Sequence, residues 1–157
     1  GAMADLDAVL RADPSHAGAW LTKATIHQLR GELPAARRAC LQVARHADAL
    51  TATIAATSLA AWACLDAAPA EALEARLRAP EASQVTSEIR AWGWITTAES
   101  FRLHGRTVDA ERCTLEALRR DDGSPYANAL LADLLLETGR APEVIRRLAD
   151  TPNDTMP

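Results

Sequence analysis

The sequence predicts an all-α fold, a stack of antiparallel helical hairpins with about nine helices. Three observations carry that reading. Apolar residues recur at helical spacing along most of the chain. Gly105 and Gly139 each close such a stretch, and they stand 34 residues apart, a period typical of stacked hairpins. Trp20 and Trp94 stand 74 residues apart, as do Gly31 and Gly105, so the same unit recurs upstream with one longer copy between.

Residues 1–3, Gly-Ala-Met, have the look of a cleaved expression tag and are set aside from the fold. Residues 5–11 form a short helix around Leu6 and Val9, stopped near Asp13-Pro14. Ser15 is placed to cap the next helix, which carries Trp20, Leu21, Ala24, His27 and Leu29 and ends at Gly31. Pro34 opens its partner, where a missing N–H costs nothing, and Ala36, Cys40, Val43 and Ala44 stripe it.

The middle copy is the irregular one. Residues 49–65 read as a very apolar, alanine-rich helix containing Trp62. Asp66-Ala67-Ala68-Pro69 replaces the glycine turn, residues 70–77 form the partner helix, and Pro80 ends it. The extra residues fall in 81–88. They form either a longer approach to the helix of Trp94, beginning near Ser83, or a loop.

The stretch 94–139 then repeats the first hairpin. Trp94, Ala98, Phe101 and Leu103 stripe one helix, which ends at Gly105. Ala110, Cys113, Ala117 and Leu118 stripe the next, broken at residues 121–125. Ala127, Leu130, Leu131, Leu134 and Leu135 stripe a third, which ends at Gly139, and Pro142 opens a fourth. In domain terms, residues 4–14 are a partial repeat. Residues 15–48, 49–82, 83–122 and 123–150 are four repeats, and residues 151–157 are a turn-forming tail.

Such hairpins have a physical rationale. Two short antiparallel helices cannot bury both of their apolar faces alone, so stability depends on neighbours stacking. Small residues such as Ala24, Ala36, Ala98 and Ala110 allow close approach, and Trp20 and Trp94 fill the space between hairpins.

The pattern resembles the tetratricopeptide repeat family. The residues that carry the resemblance are Pro14, Trp20, Ala24, Gly31 and Ala36. They are followed by Trp94, Ala98, Phe101, Gly105, Ala110, Ala117 and Leu118, then Ala132, Leu135 and Gly139. Departures are the missing turn glycine of the middle repeat, His27 in place of an aromatic, and Val144 in place of a small residue. The resemblance implies a right-handed α-α superhelix, a solenoid whose first helices line a concave groove that holds a peptide or a helix. Carried over residue by residue, that groove consists of Thr25, Gln28, Leu59, Trp62, Trp92, Ile95, Glu99, Arg102, Tyr126, Asp133 and Glu137. For Glu99 and Arg102 the plainer reading is a solvated ion pair, and for Trp62 it is a core residue.

The search for chemistry points away from an enzyme. His16, His27, His46 and His104 lack metal-ligand spacing, and Asp121-Asp122 before Gly123 reads as a turn. No nucleophile elbow, phosphate loop or dinucleotide fingerprint occurs, so no catalytic residue, cofactor or metal is assigned. Cys40, Cys64 and Cys113 form neither a disulfide framework nor a zinc pattern and are expected as buried, reduced thiols. That cysteine usage points to the cytoplasm. The net charge of −4 argues against a nucleic-acid partner. No run of 18 apolar residues occurs, so no membrane insertion is expected.

The functional expectation is a non-catalytic scaffold that binds a protein or peptide. The alternative is a fragment of a larger multidomain enzyme or of a secretion or assembly machine, in which the repeats present substrate or mediate oligomerisation. Self-association through uncovered ends of the stack, at Leu6, Val9 and Leu148, is the further partner expectation.

Overall fold

In the computed structural model, residues 1–62 and 66–150 are described. The fold is all-helical, and no strand occurs among the described residues. Nine α-helices follow in chain order: α1 (Ala2–Ala12), α2 (Ala17–Leu29), α3 (Leu33–His46), α4 (Ala49–Ala61), α5 (Ala68–Arg78), α6 (Ser87–Leu103), α7 (Thr107–Arg120), α8 (Pro125–Glu137) and α9 (Ala141–Asp150). The expected count is borne out among the described residues. Several bounds differ, however. α1 starts within the set-aside residues 1–3, and α5 starts two residues earlier than read. The helix expected over residues 49–65 ends at Ala61 with Trp62 as its C-cap, and residues 63–65, with Cys64, lie outside the described residues, as does the tail 151–157.

Residues 81–88 resolve into neither expected form alone. Pro80–Gln84 is one 3-10 turn that buries Ala82 and is followed by buried Val85. α6 then begins at Ser87 rather than near Ser83, with the Thr86 hydroxyl accepting from the Ile89 N–H. The turn seats two apolar side chains, which a solvated loop would not do.

The helix ends are set locally. Gly31, Gly105 and Gly139 have φ of 74°, 73° and 74°, a region that costs a residue with a Cβ. At each, the next N–H reaches back to a carbonyl of the helix just ended: Glu32 to His27 at 2.8 Å, Arg106 to Phe101 at 2.9 Å, and Arg140 to Leu135 at 2.7 Å. This closure satisfies carbonyls that have no intrahelical partner. The even-numbered helices start on side-chain caps: His16, Asp48, Thr86 and Ser124. His16 takes the place expected of Ser15. Its Nδ1 accepts from the Ala19 N–H at 3.0 Å, while the Ser15 hydroxyl donates to Asp13 at 2.6 Å. Pro34, Pro69 and Pro142 lie in the first turns of α3, α5 and α9.

Every helix packs against the next in sequence, and α4 also packs against α2 and α6. Three-residue connections between contacting helices make α2–α3, α6–α7 and α8–α9 antiparallel hairpins. The core falls into two clusters. The larger joins Leu73 and Leu77 of α5, Trp94, Ala98 and Phe101 of α6, Cys113 and Leu118 of α7, and Leu130, Leu131, Leu134 and Leu135 of α8. The smaller joins Ala24, Ala39, Cys40, Val43 and Ala55, with Trp20, Leu59 and Trp62 partly buried against it.

α4 is the shared wall: Ala55 belongs to the small cluster and Ala60 to the large one. Its sequence, ALTATIAATSLAA, carries no charge on any face, as a helix covered on two sides requires. Buried Thr53 and Thr57 satisfy their hydroxyls on the carbonyls of Ala49 and Thr53, at 2.7 and 2.8 Å. Close approach is most marked at Gly93, where a Cβ would come within 3.1 Å of the Leu77 methyls.

Two leucines read as stripe residues are on the surface. Leu29 is 83% and Leu103 82% exposed, each two residues before its turn glycine. The helical period counts them on the apolar face. The turn that follows bends the chain away before a neighbour can cover them.

Candidate functional site

The alternate helices α2, α4, α6 and α8 hold all the residues expected to line the groove. Trp62 is the C-cap of α4, and the others lie within the four helices. On α2, Thr25 and Gln28 are exposed, and the Thr25 hydroxyl donates to the Leu21 carbonyl of its own helix at 3.1 Å. Leu59 and Trp62 are half-buried against the small cluster. The Trp62 carbonyl accepts from Arg37 Nη2 at 2.6 Å, which ties the end of α4 to α3. On α6, Trp92 is 41% exposed, and Ile95, half-buried, packs on the large cluster.

The structure brings five of these residues into one polar assembly across α6 and α8. The Tyr126 hydroxyl donates to Glu99 Oε1 at 2.6 Å. Arg102 Nε donates to Glu137 at 3.0 and 3.2 Å, and Nη1 lies 3.6 Å from Asp133 Oδ2. Residues 27 and 35 apart in sequence therefore meet on one face. The hydrogen bond to Glu137, with Asp133 and Glu99 nearby, holds the Arg102 pKa above its ordinary value. The hydrogen bond to Glu99 raises the Tyr126 pKa, because removing the phenol proton would set two anions together.

Four of the expected residues, Thr25, Gln28, Leu59 and Trp62, stand apart from this assembly. They lie on the helices that enclose the small cluster.

A second charged region, on the odd-numbered helices, was not read from the sequence. Arg112 joins Asp109 at 2.6 Å and Glu74 at 2.8 Å, linking α7 to α5. Arg78 lies 3.0 Å from Glu74 and 3.6 Å from Glu116, which also takes Arg120 at 3.0 Å. Arg106 pairs with Asp109 and Glu71, and Arg140 with Glu111 and Glu143. Arg106–Asp109, Arg112–Asp109, Arg140–Glu143, Arg78–Glu74 and Arg120–Glu116, three or four residues apart, had a local signal in the sequence, whereas the pairs of Arg112 with Glu74, Arg78 with Glu116, Arg106 with Glu71 and Arg140 with Glu111 had none. Here acids and arginines alternate and neutralise one another.

His16, His27 and His104 serve helix ends and turns. His27 Nδ1 lies 2.5 Å from Glu32 Oε2 across the Gly31 turn. His104 Nδ1 lies 2.7 Å from the Ser100 carbonyl, at the C-terminus of α6, where the helix dipole favours a donor. Among the described residues no three of His, Cys, Asp and Glu are grouped to hold a metal. No helix among them is long and apolar enough to cross a membrane.

A recess of about 750 Å³ opens between α8 and α9, lined by Asn128, Ala132, Val144, Arg147 and Leu148 among others. No residue of α9 is fully buried, and Ile145 and Leu148 are 68% and 70% exposed.

Comparison with family models, curated proteins and solved structures gives no match to this chain.

Proposed function

We propose that the chain is a non-catalytic interaction module of the tetratricopeptide type. It takes a peptide or a helix along the face formed by α2, α4, α6 and α8. One observation carries the reading: Trp92 and Tyr126, 41% and 58% exposed, sit on helices α6 and α8, whose polar side chains are locked to one another. Large aromatic rings left in water are the residues that most often anchor a partner, and they anchor best when already held in place. The 34-residue spacing of the turn glycines and the packing of α4 on α2 and α6 support the repeat architecture in which alternate helices share a face.

Selection of a random-peptide display library on the purified chain tests the reading. Peptides so obtained should bind Trp92→Ala and Tyr126→Ala at least about tenfold more weakly than wild type, a loss of about 1.4 kcal/mol. Circular dichroism of both variants should match wild type. Peptides that bind both variants as tightly as wild type would place the site elsewhere.

A further inference from the structure

Resting on that reading, we infer that the segment held on the α6–α8 face is basic, a polypeptide stretch bearing lysine or arginine side chains. The inference comes from a count of charges that the geometry leaves unbalanced. Three carboxylates, Glu99, Asp133 and Glu137, share this face with one cation, Arg102. The donors of Arg102 are directed to Glu137 and Asp133, and the Tyr126 hydroxyl is committed to Glu99. The face therefore has acceptors to spare and no free donor among these side chains.

The contrast with α5 and α7 matters. There each acid meets one or more arginines, so that region has no unmatched carboxylate to recruit a cationic partner. The α6–α8 contact carries the uncompensated negative charge, and opposite charge on a partner raises association rate and sets register.

The aromatic residues point to the same partner. The chain itself shows how it uses an indole: the Arg78 and Arg120 guanidiniums lie over the Trp94 ring, at 4.8 and 5.3 Å from its centroid. Trp92, two residues away and exposed, has no cation over its ring among the described residues, and neither has Tyr126. Each offers a ring face to a lysine or an arginine, and Tyr126 does so beside the Glu99 carboxylate. An acidic segment or a phosphate backbone would meet like charge at the same place.

The display selection decides the matter when the charge of the selected peptides is scored. One selected peptide is then titrated at two ionic strengths against wild type and against the double variant Asp133→Asn/Glu137→Gln. The expected result is enrichment in lysine and arginine, weaker binding at high salt, and a loss of about tenfold in affinity in the double variant. Neutral or acidic peptides that still depend on Trp92 and Tyr126 would overturn the charge inference and leave the shared face standing. Unaltered binding of a basic peptide by the double variant would also overturn the charge inference. Basic peptides indifferent to Trp92→Ala and Tyr126→Ala, or no selected peptide at all, would overturn both.

Discussion

The Tyr126 hydroxyl donates to the Glu99 carboxylate at 2.6 Å, joining the first turn of α8 to the C-terminal part of α6. Tyr126 is the chain's one tyrosine, so its titration is a direct reading of that junction. The neutral phenol is the form held in the fold, and its pKa is raised. The stabilisation is therefore fully present below the unfolded value of about 10 and is lost as pH rises through the higher folded value. Ultraviolet titration of tyrosinate should show ionisation above the ordinary range in wild type and a return toward it in Glu99→Gln. An unchanged titration in Glu99→Gln would mean that the two helices are not joined here.

The two described cysteines should be inert while the chain is folded. Burial pushes the thiol pKa up to about 11 at Cys40 and about 12 at Cys113, and neither side chain is exposed. The thiolate is the reactive form, so both should resist a disulfide reagent near neutral pH and react once denaturant is added. Rapid labelling of either in the native protein, located by mass spectrometry, would contradict the packing.

The turn glycines should be individually costly to replace. Gly105 has φ of 73°, and a Cβ placed there meets open space, so backbone strain alone sets the penalty. Gly105→Ala should destabilise by about 1 kcal/mol in urea unfolding, and Gly105→Asn by less, since asparagine tolerates this region. Equal effects of the two would point to another cause.

Trp20 and Trp94 occupy equivalent places in the sequence and unequal places in the fold. Trp94 is 1% exposed, whereas Trp20 is half-buried, with its Nε1 donating to the Pro14 carbonyl at 2.8 Å. Trp94→Ala should cost about 3–5 kcal/mol, the range for a fully buried aromatic, and Trp20→Ala clearly less. Urea titrations of the two variants would show the difference. Comparable losses would mean that the small cluster is as tightly packed as the large one.

Much of the helical layout was legible in the sequence because its causes are local. Gly31, Gly105 and Gly139 stop helices through φ, prolines mark first turns, and an apolar stripe reports a period of 3.6 residues wherever it occurs. The same local character limits what a stripe can say. It placed Leu29 and Leu103 with the core because it registers the angle of a side chain about its own helix, and not whether a neighbour reaches that level.

By itself the sequence determined an all-α chain with nearly every turn in place, and its resemblance to the tetratricopeptide repeat pattern singled out Glu99, Arg102, Tyr126, Asp133 and Glu137 on alternate helices. Only the tertiary structure decided that these five meet, that α4 is walled in by two clusters, and that the charges of α5 and α7 cancel. Contacts such as Arg102 with Glu137 and Arg112 with Glu74 join residues 35 and 38 apart. They exist only once one helix lies beside the next but one, and that distance follows from how the small residues pack between them rather than from any spacing along the chain.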